Sequence, residues 1–407
     1  MRVLLVLTFL FALNAHAQAD KILKALQRGG HVIVMRHASS PRDVPTKETA
    51  VAGNWNRERQ LDEAGRRGAA AMGVAMRRRK IPVSAVFSSP TFRAQETAKY
   101  AQLLLPKLQE ELGDGGQSMG AATPAQTEWL RGFARTSPRG GNAIAITHQQ
   151  NIAAAFPKVT PLLAEGEALV FQPGGKDGPT LLGRIKTGEW GPALPEPKRV
   201  VLKTTDGGTI HGDLYGEQAG GKAPRGVVLA HGGRFNKETW IVQAREIEAA
   251  GFRVLAIDFR GYGESTGPGR DDPMGAPLYQ DVLAAVRYLR ANGAKTVAAI
   301  GGSMGGDGVS GALAHGNAGE IDRAVLIASE PSFPPEKLTG PKLNIVCRDD
   351  IQGENTPRLP GIRAKYDQMP EPKDLIVLPC AAHAQFIFQT DQGPRLMREI
   401  LQFLGGK

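Results

Sequence analysis

Seven residues, Gly191-Pro192-Ala193-Leu194-Pro195-Glu196-Pro197, hold three prolines and no hydrophobic periodicity, and they interrupt a chain otherwise built of short apolar runs spaced by helical segments. Proline fixes φ and withholds a backbone donor, so neither a helix nor a sheet ladder runs on through such a stretch. At 407 residues the chain also exceeds the size at which a single hydrophobic core keeps growing. Two domains are expected, at 20–190 and 199–407, with a linker at 191–198. Alternation of strand and helix on both sides of the break predicts the α/β class for each.

In the first half, His31 to Met35, Ala85 to Phe87 and Ala143 to Ile146 read as buried parallel strands, with further strands at Ala168 to Phe171 and Leu181 to Ile185. Leu61-Asp62-Glu63-Ala64-Gly65 opens a helix with Asp62 as its N-cap, and Thr91 to Gln102 gives another. The dense basic run Arg77 to Lys80 closes the first of these helices, where cations complement the negative end of the helix dipole. Past the linker, Asp206-Gly207-Gly208 marks a hairpin turn before strand and helix alternation resumes. The two halves share that alternation but no internal repeat.

Met1-Arg2, the apolar stretch Val3 to Leu13 and Ala15-His16-Ala17 follow the charged, hydrophobic and small-residue order of a secretory signal, predicting cleavage after Ala17 and export to the periplasm or beyond. The apolar stretch falls short of the ~20 residues of a spanning helix, so no stable membrane span is expected. The net charge is +10, but the basic residues are scattered and not interleaved with aromatics, which argues against nucleic-acid binding while favouring anionic surfaces or substrates. The only two cysteines, Cys347 and Cys380, could be joined in an oxidising compartment or remain two buried thiols. No metal-ligand spacing occurs and no organic cofactor is implied. Oligomeric state is not legible.

Val32-Ile33-Val34-Met35-Arg36-His37-Ala38 puts two polar residues directly after a buried strand, where open α/β sheets bind ligands. Arg93 opens the helix after Val86 to Pro90, and His148 follows the strand ending at Thr147. Such a group suits phosphoryl transfer, with a neutral imidazole attacking phosphorus and guanidinium forks holding the oxygens. Taken singly, Arg36 or His37 is more often a satisfied structural residue; the combination points to chemistry. These residues, with Leu61 to Gly65, Ser88-Ser89-Pro90-Thr91-Phe92-Arg93 and Thr147 to Ile152, resemble the histidine phosphatase superfamily across about Asp20 to Trp190. The resemblance implies an α/β/α sandwich, His37 as nucleophile, and Arg36, Arg93 and His148 as the phosphate pocket. Ala38 replaces the common glycine. The proton donor is open between Asp114, the first choice, and Glu111, and Asp114 also reads as an ordinary loop turn.

Thr296 to Ile300 is a compact apolar strand running into Gly301-Gly302-Ser303-Met304-Gly305. Glycines on both sides let Ser303 project from a sharp strand-to-helix turn, and a glycine-rich nucleotide loop competes but has the wrong spacing and place. A strand from Leu343 to Cys347 leads to Asp349-Asp350, and one from Leu375 to Leu378 leads to His383, giving the order serine, acid, histidine. His383 is the expected base, with Asp350 preferred over Asp349 as its carboxylate. Met304 and Gly233 are the expected oxyanion donors, and His231 reads as structural. With Val227 to Gly233 and Asp258 to Ser265, these features resemble α/β-hydrolases of the esterase and dienelactone-hydrolase-like kind across about Arg199 to Lys407. That implies a mostly parallel sheet, and the strand spacing leaves little sequence for a long lid, suggesting small or extended esters.

The leading expectation is an exported bifunctional hydrolase acting on small-molecule esters and phosphoesters. One alternative keeps only the serine hydrolase active, with the first half binding anionic ligands. Another is a non-catalytic envelope binding protein that retains both folds.

Overall fold

The computed structural model describes residues 18–41, 58–114, 120–159, 161–174, 178–216, 225–269, 271–272, 275–353 and 355–406. The expected signal peptide, 1–17, lies outside the described residues. The chain divides between Leu194 and Pro195 into two compact units, each with its own sheet. No helix among the described residues is long and apolar enough to cross a membrane.

The first unit carries β1 (Val32–Arg36), β2 (Val83–Ser88), β3 (Lys107–Leu108), β4 (Asn142–Thr147), β5 (Ala168–Gln172) and β6 (Thr180–Ile185), in the spatial order β3-β2-β4-β1-β5-β6. β1 to β4 pair in parallel, and β5 and β6 add antiparallel strands on one side. Val32, Ile33 and Val34 are fully buried, and alternate strand residues fall into separate apolar clusters, as expected for a sheet covered on both faces. The helix Glu63–Arg78 begins where Asp62 accepts from the Gly65 N–H at 2.7 Å, and it ends in the basic run. Thr91 is the N-cap residue of the helix Phe92–Tyr100, which carries Arg93 into the site.

The second unit orders its main strands β16-β13-β12-β11-β9-β10-β8-β7. These are β7 (Lys198–Lys203), β8 (Thr209–Tyr215), β9 (Arg225–Ala230), β10 (Arg253–Ile257), β11 (Thr296–Gly302), β12 (Arg323–Ile327), β13 (Lys342–Cys347) and β16 (Lys373–Leu378); β14 (Ile351–Gln352) and β15 (Thr356–Pro357) form a separate small hairpin. From β16 to β10 the pairing is parallel; β8 and β7 close the other side antiparallel. β11 is central and paired on both sides, whereas β16 is an edge strand. The helix Met304–His315 starts directly behind Ser303. Arg260, fully buried, is held by Asp281 at 2.6 Å and by Asp206, so this charge is paired where it would otherwise be strongly destabilising.

Candidate active sites

Three parallel strands that are neighbours in space, β2, β4 and β1, end at one edge of the first sheet. They bring Arg93, His148 and His37 together: the imidazole centroids of His37 and His148 are 5.3 Å apart, and both residues are buried. His37 Nδ1 lies 2.8 Å from the Ala38 carbonyl, which can only accept, so the proton sits on Nδ1 and the Nε2 lone pair faces the site. Arg93 Nε donates to that Nε2 at 3.3 Å. Burial, then His148, Arg93 and Arg36, hold His37 well below the ordinary histidine range, leaving a neutral imidazole.

Arg93 is the hub. Its Nη2 donates to His148 Nδ1 at 3.2 Å and to the Asp114 carboxylate, which itself lies 3.5 Å from His148 Nδ1. With Nδ1 accepting, His148 presents Nε2–H to Ser89 Oγ at 2.9 Å. Burial and the surrounding arginines push His148 well below its ordinary value too. Arg36 is anchored from behind by the Leu163 carbonyl at 3.0 Å and Glu165 at 3.1 Å. Asp114 thus lies in the cluster, its side chain buried, while Glu111 accepts from Gln109 on the short turn Glu110–Leu112. Sequence reading missed Arg59, whose charge acts on both His148 and Arg93 and which carries no pattern that separates it from a surface residue, and it assigned no role to Ser89 within the segment Ser88 to Arg93.

In the second unit, Ser303 has φ 51 and ψ −116, a conformation costly for any residue with a side chain and held here by its neighbours. A Cβ on Gly305 would meet the Ala230 carbonyl oxygen at 2.2 Å, and one on Gly301 would meet the Gly305 oxygen at 2.2 Å, so the tight turn requires glycine at both. Ser303 Oγ lies 2.8 Å from His383 Nε2, and His383 Nδ1 lies 2.7 Å from Asp350 Oδ2. Asp350 is buried; Asp349 is exposed and pairs with Arg348 at 3.0 Å. An acceptor at Nδ1 fixes the proton there and leaves Nε2 free to take the serine proton.

Around the serine, Met304 follows in chain and Gly233 approaches its side chain. The Gly232 carbonyl and the Gly233 N–H belong to one peptide plane, so whatever grips the first aims the second. His231 Nδ1 donates to that carbonyl at 2.8 Å, and its Nε2 accepts from the Phe259 N–H at 3.2 Å. Burial lowers the His231 pKa, which keeps the ring neutral and both bonds possible. Gln385 was not foreseen: its Oε1 accepts from the Gly232 N–H at 2.8 Å and its Nε2 donates to Thr239 Oγ1 at 2.8 Å. Tyr262 Oη donates to the Gly233 carbonyl at 3.0 Å. Cys347 and Cys380 form a disulfide.

Residues 32–115 match the family described as histidine phosphatase superfamily (branch 1), a span containing Arg36, His37, Arg93 and Asp114. Residues 226–345 match the alpha/beta hydrolase fold, a span containing His231, Gly233, Ser303 and Met304. Over 118 residues the chain is 30% identical to a non-heme haloperoxidase of Rhodococcus erythropolis, covering 29% of this chain and 42% of that protein. It is 38% identical over 131 residues to Thiohydrolase aneE of Aspergillus aculeatus, covering 32% of this chain and 40% of that protein. The chain therefore spans less than half the length of either relative. Among solved structures, an esterase of Pyrococcus furiosus is similar at a TM-score of 0.42 and 18% identity, covering 52% of this chain and 92% of that one.

Proposed function

We propose that this chain, in which a histidine-phosphatase-type segment precedes an alpha/beta-hydrolase-type segment, is an exported bifunctional hydrolase that cleaves acyl esters at Ser303 and phosphomonoesters at His37. The observation that carries the acyl reaction is the unbroken chain from Asp350 Oδ2 to His383 at 2.7 Å and on to Ser303 Oγ at 2.8 Å. His383 takes the hydroxyl proton as Ser303 attacks the ester carbonyl, and Asp350 stabilises the imidazolium so formed. The N–H groups of Met304 and Gly233 receive the oxyanion; His383 then returns the proton to the leaving alcohol, and water repeats the sequence to free the acid.

At the other site the His37 Nε2 lone pair attacks phosphorus in line with the leaving oxygen; Arg36 and Arg93 hold the non-bridging oxygens, and His148 joins them once the bound anion draws a proton onto its Nδ1 in place of the bond from Arg93. Arg93 must exchange its bond to Nε2 for one to phosphate, a short movement for a guanidinium already at 3.3 Å. Asp114 is the proton donor to the leaving oxygen in this reading. Water then attacks the phosphohistidine and releases phosphate. Small-molecule esters and phosphoesters are the proposed substrates, and the periplasm or the space outside the cell is the proposed place of action.

A second reading is favoured by one contact: Asp114 accepts from Arg93, and a carboxylate so engaged is an acceptor, not an acid. There the first unit binds phosphate-bearing ligands without turnover. Purified protein assayed with an aryl phosphate and an aryl acetate separates the two, since absence of phosphate release from the parent protein would leave only the esterase. Failure of Ser303 to react with a fluorophosphonate probe in folded protein would sink the acyl half. Recovery of the chain in a cytoplasmic fraction with residues 1–17 intact would overturn export.

A further inference from the structure

We propose that the Cys347–Cys380 disulfide is a positioning element of the Ser303 site, tying acyl turnover to the oxidation state of this pair; the proposal rests on the serine-hydrolase reading above. Cys347 ends β13, and Asp350 follows it by three residues; Cys380 lies just beyond β16, and His383 follows it by three. The two strands are parallel neighbours, with Cys347 opposite Leu378. The bridge therefore joins the roots of the two loops that carry the acid and the base, the same number of residues before each.

The nucleophile needs no such tie. Ser303 leaves β11, which is hydrogen-bonded to β9 on one side and β12 on the other. His383 leaves the edge strand β16, which among the described residues is held laterally in the sheet by β13 alone. Past the ladder, the Arg348 N–H reaches the Leu378 carbonyl at 2.8 Å and the Asp349 N–H reaches the Cys380 carbonyl at 3.0 Å. The covalent link fixes this end of the loop, while Gln385, two residues past His383, fixes the other to Gly232. Between these anchors His383 must keep both ring nitrogens within hydrogen-bond distance of separate partners at once.

Access follows from burial. Cys347 is fully buried and Cys380 is partly exposed, so an entering thiolate attacks Cys380 Sγ and displaces the Cys347 thiolate. With a dithiol reductant, its second thiolate then attacks the mixed disulfide, releasing Cys380. The reductant loses two electrons and closes to a cyclic disulfide; the protein gains them, with two protons, as two thiols. An oxidising compartment keeps the bridge closed.

The test compares purified protein, oxidised and dithiol-reduced, with an aryl acetate and a fluorophosphonate probe, while far-UV circular dichroism is followed. The expected result is a fall of about tenfold to a hundredfold in kcat, the loss that ångström-scale misplacement brings, with KM little changed, native dichroism, and full recovery on reoxidation. The Cys347→Ser/Cys380→Ser variant should match the reduced protein and ignore reductant. Since the chain has no other cysteine, phosphate release at His37 should not respond. Unchanged kcat after complete reduction overturns the proposal, as does a loss of turnover that only tracks loss of dichroism, because the bridge would then hold the fold and not the site. If the oxidised protein neither labels nor hydrolyses, the serine-hydrolase reading fails first and carries this one with it.

Discussion

At the Ser303 site the groups stand in a line, Asp350 to His383 and His383 to Ser303, whereas at the His37 site a single guanidinium, Arg93, reaches His37, His148 and Asp114. A linear relay assigns a role to each member by its place. A hub does not, because the same contacts serve to bind phosphate, to orient two imidazoles and to hold a carboxylate. The electrostatics differ in the same way. The relay sets a carboxylate against the ring that must become charged, while the hub keeps two rings neutral, chiefly by burial and then by the cations around them. The first arrangement favours moving a proton; the second favours an unprotonated nucleophile beside an anion.

The sharpest way to break this contrast is to delete each nucleophile. Ser303→Ala should lower acyl turnover by about 10⁶-fold, the scale seen when a triad serine is lost, and leave phosphate release at the parent rate. His37→Ala should do the converse, measured with the same pair of chromogenic substrates. Cross-talk in either direction would mean that the two sites are not independent. Next in size, Asp350→Asn should cost about 10⁴-fold in acyl kcat, because the amide no longer fixes the proton on Nδ1. Asp349→Asn should leave kcat near the parent value, since Asp349 faces solvent and Arg348.

Asp349 and Asp350 adjoin in the sequence, yet the fold sets one beside Arg348 in solvent and the other against His383. The break near the prolines, the strand pattern and both nucleophile turns are local signals: an apolar run, a glycine at a crowded turn, a cap such as Asp62. Ser303, Asp350 and His383 stand at strand ends, and strand order in one sheet makes them converge. Gln385 and Arg59 could not be found that way. Gln385 works through a bond to Gly232, 153 residues distant in sequence, and nothing near it distinguishes it from any loop glutamine. Arg59 is one of many scattered arginines, and only the fold brings its charge to His148 and Arg93. The disulfide fell between: proximity of strand ends was legible, pairing geometry was not.

The hub predicts a diagnostic leaving-group dependence. Asp114→Asn should lower phosphate release from an alkyl phosphate by about 10²- to 10⁴-fold, the range of general-acid catalysis, and far less from a nitrophenyl phosphate, whose leaving oxygen needs no proton. An equal loss on both substrates would mean that Asp114 only steadies Arg93. The relay has a smaller counterpart in Gln385→Ala, which frees the Gly232 N–H and so loosens the peptide just before the one that carries the Gly233 N–H. Removing an oxyanion donor outright costs about 10²- to 10³-fold; an indirect loosening should cost roughly tenfold in kcat with KM unchanged. A rise in KM alone would assign Gln385 to substrate binding.

The smallest effect separates the two units by pH. His37 and His148 in the first unit, and His231 in the second, are all held below the ordinary histidine value of about 6.5, chiefly by burial. For a base whose folded pKa is lowered, the unfolded chain binds the extra proton first. Its contribution to stability is therefore present above about pH 6.5 and is lost as pH falls from there toward the lowered folded values. With two such rings against one, the first unit should lose protection from hydrogen exchange more steeply than the second between pH 7 and pH 5. Phosphate release should follow a related rule: because His37 stays neutral below 6.5, its acid limb in kcat/KM should lie under that value. An acid limb at or above 6.5 would mean that burial and the charges around His37 do not keep it unprotonated in solution, and the contrast between hub and relay would lose its electrostatic half.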